Sequence, residues 1–109
     1  MIATFTALAE PNRLRIVDLL RRGPRPVGAI GEALRLNQPQ VSKHLRVLKE
    51  ARLVAVEARA QQRLYALRAE PLREMSQWLE RYRAVWDERF NQLDHVIAEI
   101  KRTTKERRP

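Results

Sequence analysis

The sequence contains no cysteine, and it has no long run of uncharged apolar residues. Without cysteine the chain cannot build a disulfide framework, a thiolate metal site or a thiol nucleophile. A membrane-spanning helix needs roughly eighteen or more apolar residues in a row, and the first five residues lack the basic and apolar regions of a signal peptide. We therefore expect a cytoplasmic protein without a membrane partner.

Glycine is also scarce, with only 3 residues, and the motifs that commonly mark an active site are missing. The sequence has no glycine-rich phosphate loop, no histidine with an identifiable nucleophile and no motif of paired carboxylates. The 109 residues are 44% hydrophobic and 32% charged, a composition that suits one folded domain over residues 1–109. We therefore expect a single domain that is not an enzyme and needs no cofactor.

Acidic residues are too few to balance the basic ones, and the formal net charge is +9. Residues 1–69 carry 13 basic and 5 acidic side chains, residues 70–100 carry 4 and 7, and residues 101–109 carry 5 and 1. Such a surplus serves to bind nucleic acid, to bind an anionic membrane surface, or only to keep a protein in solution. Its distribution indicates an N-terminal half that attracts polyanions and a C-terminal segment with another task.

Apolar residues at helical spacing, separated by proline and glycine, predict four short helices in the N-terminal half. Their apolar positions are Ile2, Phe5 and Leu8; Leu14, Val17 and Leu20 with Ile16; Val27, Ile30 and Leu34; and Val41, Leu45 and Leu48. Two β-prone runs follow, Leu53–Glu57 and Arg63–Leu67, joined by a loop of about four or five residues. A final helix begins near Pro71. The predicted fold is mainly α with a small β-hairpin (α+β), in which a three-helix core precedes a β-wing.

The predicted helix at residues 38–49 carries the strongest functional signal. Asn37 is suited to cap this helix, and Pro39 fits its first turn. No acidic residue occurs between Glu32 and Glu50. One face of the helix is the apolar stripe given above, and the opposite face carries Ser42, Lys43, Arg46 and Lys49.

A helix-turn-helix presents the N-terminal part of its second helix to base edges in the major groove. Glutamine can read adenine through two hydrogen bonds, whereas lysine and arginine serve guanine or phosphate. The alternative is a solvated amphipathic helix, which is less favoured because a short helix precedes it and a hairpin follows it. The candidate DNA-binding residues are Asn37, Gln38, Gln40, Ser42, Lys43, His44, Arg46, Lys49, Arg59, Gln61 and Arg63.

Three stretches of the chain resemble ArsR-type winged helix-turn-helix repressors. Residues 8–20 (LAEPNRLRIVDLL) are similar to the opening of that family, residues 38–54 to its recognition helix and the exit into the wing, and residues 63–67 to its second wing strand. The resemblance covers nearly the whole chain in the same order and spacing. It implies a homodimeric repressor that binds an imperfect palindrome in promoter DNA and is released by a signal.

The tip of the wing departs from the family pattern. Ala60-Gln61 stands where the family usually has Gly-Arg. The change removes a residue that readily adopts positive φ, and it removes an arginine suited to contact phosphate or the minor groove. Arg59 and Arg63 are close enough in sequence to replace that contact.

Many ArsR-type proteins sense metals, and the resemblance allows their ligand positions to be compared with this chain. The cysteines of the family's thiolate site correspond here to Pro26 and Gly28, neither of which can bind a metal. The family's other site lies on the C-terminal helix, where this chain offers only Asp94, His95 and Glu99. His95 and Glu99 are four residues apart, a spacing that can chelate, but no second histidine lies one or more turns upstream. We therefore expect no metal site, and these residues do not identify an effector.

The final helix is predicted to span residues 70–102 and to mediate dimerisation. Its apolar positions recur every three or four residues, at Leu72, Met75, Leu79, Tyr82, Trp86, Phe90, Leu93, Ile97 and Ile100. A helix of about 30 residues is roughly 45 Å long, more than one copy of the N-terminal core can cover. A second copy should therefore bury this stripe. The candidate interface residues are Ile2, Phe5, Leu8, Leu79, Tyr82, Trp86, Phe90, Leu93 and Ile97.

The prediction is a homodimeric, sequence-specific DNA-binding transcriptional regulator, a repressor that acts on a palindromic promoter site in double-stranded DNA at the nucleoid. The basic segment 103–109 is expected to be disordered. The alternatives are a basic protein–protein adaptor or an RNA-binding protein that uses the long C-terminal helix. The pattern Trp78, Tyr82, Trp86 and Arg89 is also similar to an ArsR branch that lacks the metal-binding cysteines and is often encoded beside START-type (SRPBCC) proteins.

Overall fold

The computed structural model of the protein describes residues 1–106. Its elements are α1 (Ile2–Leu8), α2 (Pro11–Leu20), α3 (Val27–Leu34), α4 (Gln38–Glu50), β1 (Val54–Arg59), β2 (Gln62–Leu67) and α5 (Ala69–Glu106). The chain divides into two units, residues 1–75 and the part from Ser76 onward. This order of elements confirms the predicted mainly α fold with one hairpin.

The first unit is organised around an apolar core to which α1 to α4 and the hairpin contribute. Its largest fully buried side chains are Ile16, Ile30, Leu45, Leu48, Leu53, Val41 and Val54. Leu14, one of the apolar positions of the second helix, is 46% exposed. Leu14 lies two residues from Ile16 and therefore projects about 160° away from it around α2.

A tight turn joins α3 to α4 and completes the helix-turn-helix. Arg35 ends α3 in the left-handed conformation, with φ 58°, and the N–H of Leu36 donates to the carbonyl oxygen of Gly31 at 2.9 Å. A Cβ on Gly31 would lie 2.7 Å from the carbonyl oxygen of Leu36. Position 31 therefore needs glycine, because any side chain would collide with the backbone of the turn.

The two strands form an antiparallel hairpin whose last pair is Arg59 with Gln62, so only Ala60 and Gln61 connect them. The prediction of a longer loop was wrong, because residues assigned to the loop take part in the ladder. Ala60 adopts φ 55°. Glycine would adopt this conformation without steric cost, whereas alanine is strained there.

The hairpin is also tied to the loop between α2 and α3. The N–H of Arg25 donates to the carbonyl oxygen of Tyr65 at 3.0 Å, and the N–H of Tyr65 donates to that of Arg25 at 2.8 Å. These two bonds attach β2 to the segment that precedes α3. They fix the position of the wing relative to the helix-turn-helix.

Helix α5 is longer than predicted, since it begins at Ala69 and ends at Glu106. The expected disorder was therefore wrong for residues 103–106, and residues 107–109 lie outside the described part of the chain. Neither glycine nor proline occurs between Pro71 and Pro109, so the sequence contains no helix-breaking residue at the predicted end near residue 102. In the last turns the hydroxyl of Thr103 donates to the carbonyl oxygen of Glu99 at 2.9 Å.

The first turns of α5 belong to the first unit. Pro71 is buried, and Leu72 packs against the core. The first of the two units therefore extends through the first turns of α5 to residue 75. Among the residues described, no helix combines the length and apolar character that a membrane crossing requires.

Candidate nucleic-acid interface

A reciprocal cap fixes the start of α4. The side-chain oxygen of Asn37 accepts a hydrogen bond from the N–H of Gln40 at 2.9 Å, and the side-chain oxygen of Gln40 accepts one from the N–H of Asn37 at 3.0 Å. The structure thus confirms the predicted cap at Asn37. It also commits the oxygen atoms of both side chains to the helix, which leaves the amide nitrogen of Gln40 for other contacts.

The face of α4 that points away from the core is polar and basic. The residues that anchor the helix are at most 1% exposed: Val41, Leu45 and Leu48. The candidate residues on the outer face are all exposed: Gln38, Gln40, Ser42, Lys43, Arg46 and Lys49. At about 100° per residue, Ser42, Arg46 and Lys49 project within roughly 60° of one another, with Lys43 next to Arg46. This arrangement concentrates positive charge on one surface.

His44 does not share that surface. Its side chain is 14% exposed, and its Nδ1 lies 3.6 Å from Oε2 of Glu10, the residue that caps α2. It projects about 160° away from Ser42 and from Arg46 around the helix. The structure therefore separates His44 from these two candidates and directs its Nδ1 towards the protein.

The wing candidates Arg59, Gln61 and Arg63 are all exposed. Arg59 pairs with Gln62, whereas Arg63 pairs with Ala58. Successive residues of a strand point to opposite faces, so the two arginines lie on opposite faces of the hairpin. Arg59 and Arg63 are therefore close in space but do not share one face of the wing.

In the second unit, α5 carries an apolar face that is exposed in the single chain. Its large apolar residues are between 41% and 60% exposed: Leu79, Tyr82, Val85, Trp86, Phe90, Leu93, Val96, Ile97 and Ile100. The ring centroids of Trp78 and Tyr82 are 5.1 Å apart, and the guanidinium of Arg89 lies 5.4 Å from the ring centroid of Trp86. This face includes every α5 residue assigned to the dimer interface.

The interface candidates on α1 differ among themselves. Ile2 is 78% exposed, whereas Phe5 and Leu8 are partly buried. Leu8 packs against the core of its own unit. Of the three, Ile2 therefore has the most surface left for a partner.

The chain is similar to known bacterial regulatory proteins. The model of the family described as "Bacterial regulatory protein, arsR family" matches residues 10–56. The transcriptional repressor SdpR of Bacillus subtilis is 32% identical over 75 residues, which make up 69% of this chain and 83% of that repressor. The chain belongs to the ArsR family.

Two further relatives agree with this assignment. The HTH-type transcriptional regulator Rv2034 of Mycobacterium tuberculosis is 43% identical over 63 residues, which cover 58% of this chain and 59% of that protein. The solution structure of the winged helix-turn-helix DNA-binding domain of Mb0332 from Mycobacterium bovis, described as homodimeric, matches with a TM-score of 0.63 and 31% identity. That match covers 80% of this chain and 78% of the Mb0332 chain. This ArsR-family protein is a winged helix-turn-helix DNA-binding transcriptional regulator, and it is not an enzyme.

The residues that the resemblance aligns with metal ligands of the ArsR family lie at the start of α3 and on α5. Pro26 caps α3 and Gly28 lies in its first turn, and neither side chain has a donor atom. His95 and Glu99 lie one turn apart on α5, where both are exposed. Within residues 1–106, no three side chains of the metal-binding types come together in a group that could hold an ion.

Glu10 is the contact residue that the sequence pattern did not reveal. The Glu10 carboxylate accepts a hydrogen bond from the N–H of Arg13 at 2.8 Å and so caps α2. An acceptor side chain directly before a proline at the first helical position is a signal that could have identified this cap. Its approach to His44 depends on how α2 packs on α4, which no local pattern reports.

Proposed function

We propose that this ArsR-family protein is a repressor that binds, as a homodimer, to an imperfect palindrome in promoter DNA at the nucleoid. The observation that carries the proposal is the exposed face of α4, which presents Lys43, Arg46 and Lys49 with no acidic residue between Glu32 and Glu50. A helix-turn-helix inserts this element into the major groove. SdpR, which is named a transcriptional repressor, supports the direction of control.

Within this face, Gln38 and Ser42 are the proposed base-reading residues. A bidentate contact to adenine uses the oxygen and the nitrogen of a glutamine amide together. Because the oxygen of Gln40 accepts the N–H of Asn37, Gln38 is the better placed of the two glutamines for such a contact. Lys43 and Arg46 supply contacts to phosphate or guanine.

The wing contributes contacts to the DNA backbone beside α4. Arg59 and Arg63 are the proposed donors, with Gln61 at the tip between them. Since the two arginines lie on opposite faces of the hairpin, they face different parts of the duplex. Replacement of Arg59 and replacement of Arg63 should therefore weaken DNA binding by different amounts.

The apolar face of α5 is the proposed dimer interface. A long row of exposed aromatic and aliphatic residues is unfavourable in water and marks an interaction surface. Residues 70–100 carry 4 basic and 7 acidic side chains, a balance that disfavours contact with DNA. The homodimeric state described for the Mb0332 domain supports a second copy as the occupant.

Selection from random duplex DNA with the purified protein, followed by sequencing, tests this function. The expected result is an inverted repeat whose half-sites are centred about 10 base pairs, or ~34 Å, apart or at a multiple of that distance. A promoter that contains the selected site should be more active in cells that lack the protein. Enrichment of no sequence would contradict the proposal, and tighter binding to RNA than to any duplex would favour the RNA-binding alternative.

A further inference from the structure

The residue that caps α2 is not of the type that usually serves this purpose. Serine, threonine, aspartate and asparagine are the preferred N-cap residues, because their short side chains fold back onto the first turn. Here Glu10 accepts the N–H of Arg13 through Oε2 at 2.8 Å. The longer glutamate side chain places the same oxygen beyond the end of α2, towards α4.

The Oε2 atom of Glu10 lies 3.6 Å from Nδ1 of His44. This nitrogen is buried and makes no hydrogen bond among the described residues, and the Glu10 carboxylate is the negatively charged group that faces it. The side chains of His44 and Glu10 are 14% and 31% exposed, and the contact is therefore largely shielded from water. Such shielding strengthens the electrostatic attraction between the Glu10 carboxylate and an N–H of His44 that faces it.

The first turn of α2 is also attached to α1. The Arg13 side chain donates from Nε to the carbonyl oxygen of Ala7 at 2.6 Å and from Nη2 to that of Thr6 at 3.4 Å. Glu10 therefore contacts α4 from a turn that is itself held by α1.

The contact between Glu10 and His44 is directional, whereas α4 is otherwise held on the core by apolar side chains. The buried stripe of Val41, Leu45 and Leu48 sets which face of α4 points to the core, but apolar contacts are non-directional and tolerate small rotations of the helix about its axis. A polar contact at the edge of the stripe selects one rotation, and that rotation decides where the side chains of Ser42 and Arg46 point.

We infer that Glu10 and His44 are positioning residues, which hold α4 on α2 at the rotation required for DNA binding, and that His44 acts through Glu10 without touching DNA. The inference rests on the proposed role of α4 as the DNA-binding helix. Under this inference His44, one of the candidate DNA-binding residues, makes an internal contact in place of a contact to DNA. It also explains why position 10 carries glutamate in place of a shorter capping residue.

The test compares the affinity of full-length variants for a duplex that contains the selected operator. Glu10→Ser keeps a good cap for α2 but cannot reach His44, and His44→Leu removes the polar partner while filling the space. Each should weaken operator binding by about tenfold, and the double variant should be no weaker than either single one, because both changes break the same contact. His44→Asn, whose amide nitrogen can replace Nδ1, should restore affinity close to that of the native protein. Thermal unfolding and sedimentation check that each variant is folded and assembled.

Lys43→Ala separates a failure of this inference from a failure of the proposed function. If Lys43→Ala weakens binding while Glu10→Ser binds as well as the native protein, α4 contacts DNA and the positioning role is wrong. If the effects of Glu10→Ser and His44→Leu add, His44 contacts DNA on its own account and the inference is also wrong. If Lys43→Ala has no effect on operator binding, α4 is not the DNA-binding helix, and the positioning role is wrong as well.

Discussion

Asn37 and Gln40 bond to each other's backbone at the first turn of α4, with distances of 2.9 Å and 3.0 Å between the paired atoms. The pair satisfies two N–H groups that a helix otherwise leaves without an intrahelical partner. It also fixes the end of the helix that the proposed function places against base edges. Asn37 and Gln40 therefore stabilise the start of α4 and also lie where the proposed function places DNA. Substitutions can separate these two roles.

Replacement of the capping residue should reduce the stability of the protein. Asn37→Ala removes the acceptor for the Gln40 N–H and should lower the free energy of unfolding by about 1 kcal/mol. Asn37→Asp is the matched control, because it keeps an acceptor at the same position. Urea unfolding followed by circular dichroism measures both variants, and an Asn37→Ala protein as stable as the native one would show that the cap contributes nothing.

A change at Gln40 should affect DNA binding without affecting stability. Gln40→Glu keeps an oxygen that can accept the Asn37 N–H, so the cap is retained. It also adds a negative charge to the exposed start of α4, next to the phosphates of bound DNA. Fluorescence anisotropy should report weaker operator binding for this variant with an unchanged urea midpoint. Native affinity in the variant would indicate that this end of α4 lies away from DNA.

Two glycines of α3 should respond in opposite ways to substitution by alanine. A Cβ on Gly31 would lie 2.7 Å from the carbonyl oxygen of Leu36, whereas a Cβ on Gly28 would meet nothing within 4 Å. Gly31→Ala should therefore destabilise the fold by about 1–3 kcal/mol through overpacking. Gly28→Ala should be neutral or stabilise by up to about 1 kcal/mol, because alanine favours the helix. Equal unfolding midpoints for the two variants would contradict the close contact between the turn and α3.

The dimer interface can be tested with one charge placed on either side of α5. Trp86 is 51% exposed on the apolar face, and Ala84, also exposed, projects about 160° away from it. Trp86→Asp should produce a monomer in sedimentation experiments at micromolar concentration, because an unpaired charge in a dimer interface costs several kcal/mol. Operator binding should be lost as well, although α4 is unchanged.

Ala84→Asp is the control for this experiment, and it should remain dimeric and bind the operator as the native protein does. A dimeric Trp86→Asp protein would place the interface on another surface. Dissociation of both variants would show that the dimer depends on the charge of the helix and not on its apolar face.

The helices and their order could be read from the sequence because their signals are local. Apolar spacing identified α1 to α4, and the cap at Asn37 followed from the residue type that precedes Gln38-Pro39. The extent of the hairpin could not be read in the same way. Its turn residues, Ala60 and Gln61, carry no glycine, asparagine or aspartate signal, and alanine adopts the positive φ that the turn requires.

The composition of the outer face of α4 was also accessible from sequence, since it depends only on helical periodicity and charge. The contact made by the His44 side chain could not be predicted in this way. Periodicity put His44 about 60° from the buried stripe, which suits either a core contact or a phosphate contact. The packing of α2 on α4, which brings Glu10 to within 3.6 Å of Nδ1, supports the internal contact and could not be read from the sequence.

The salt dependence of operator binding by Lys43→Ala tests most directly whether the exposed face of α4 is the surface that binds DNA. Each phosphate contact contributes about 0.9 to the slope of log affinity against log salt concentration, so a dimer that loses two contacts should lose about 1.8. Arg81→Ala removes an exposed cation from the polar side of α5 and is the control, with an unchanged slope expected. A reduced slope for Lys43→Ala alone is the predicted result. An unchanged slope and affinity for Lys43→Ala would contradict the assignment of α4 as the DNA-binding helix.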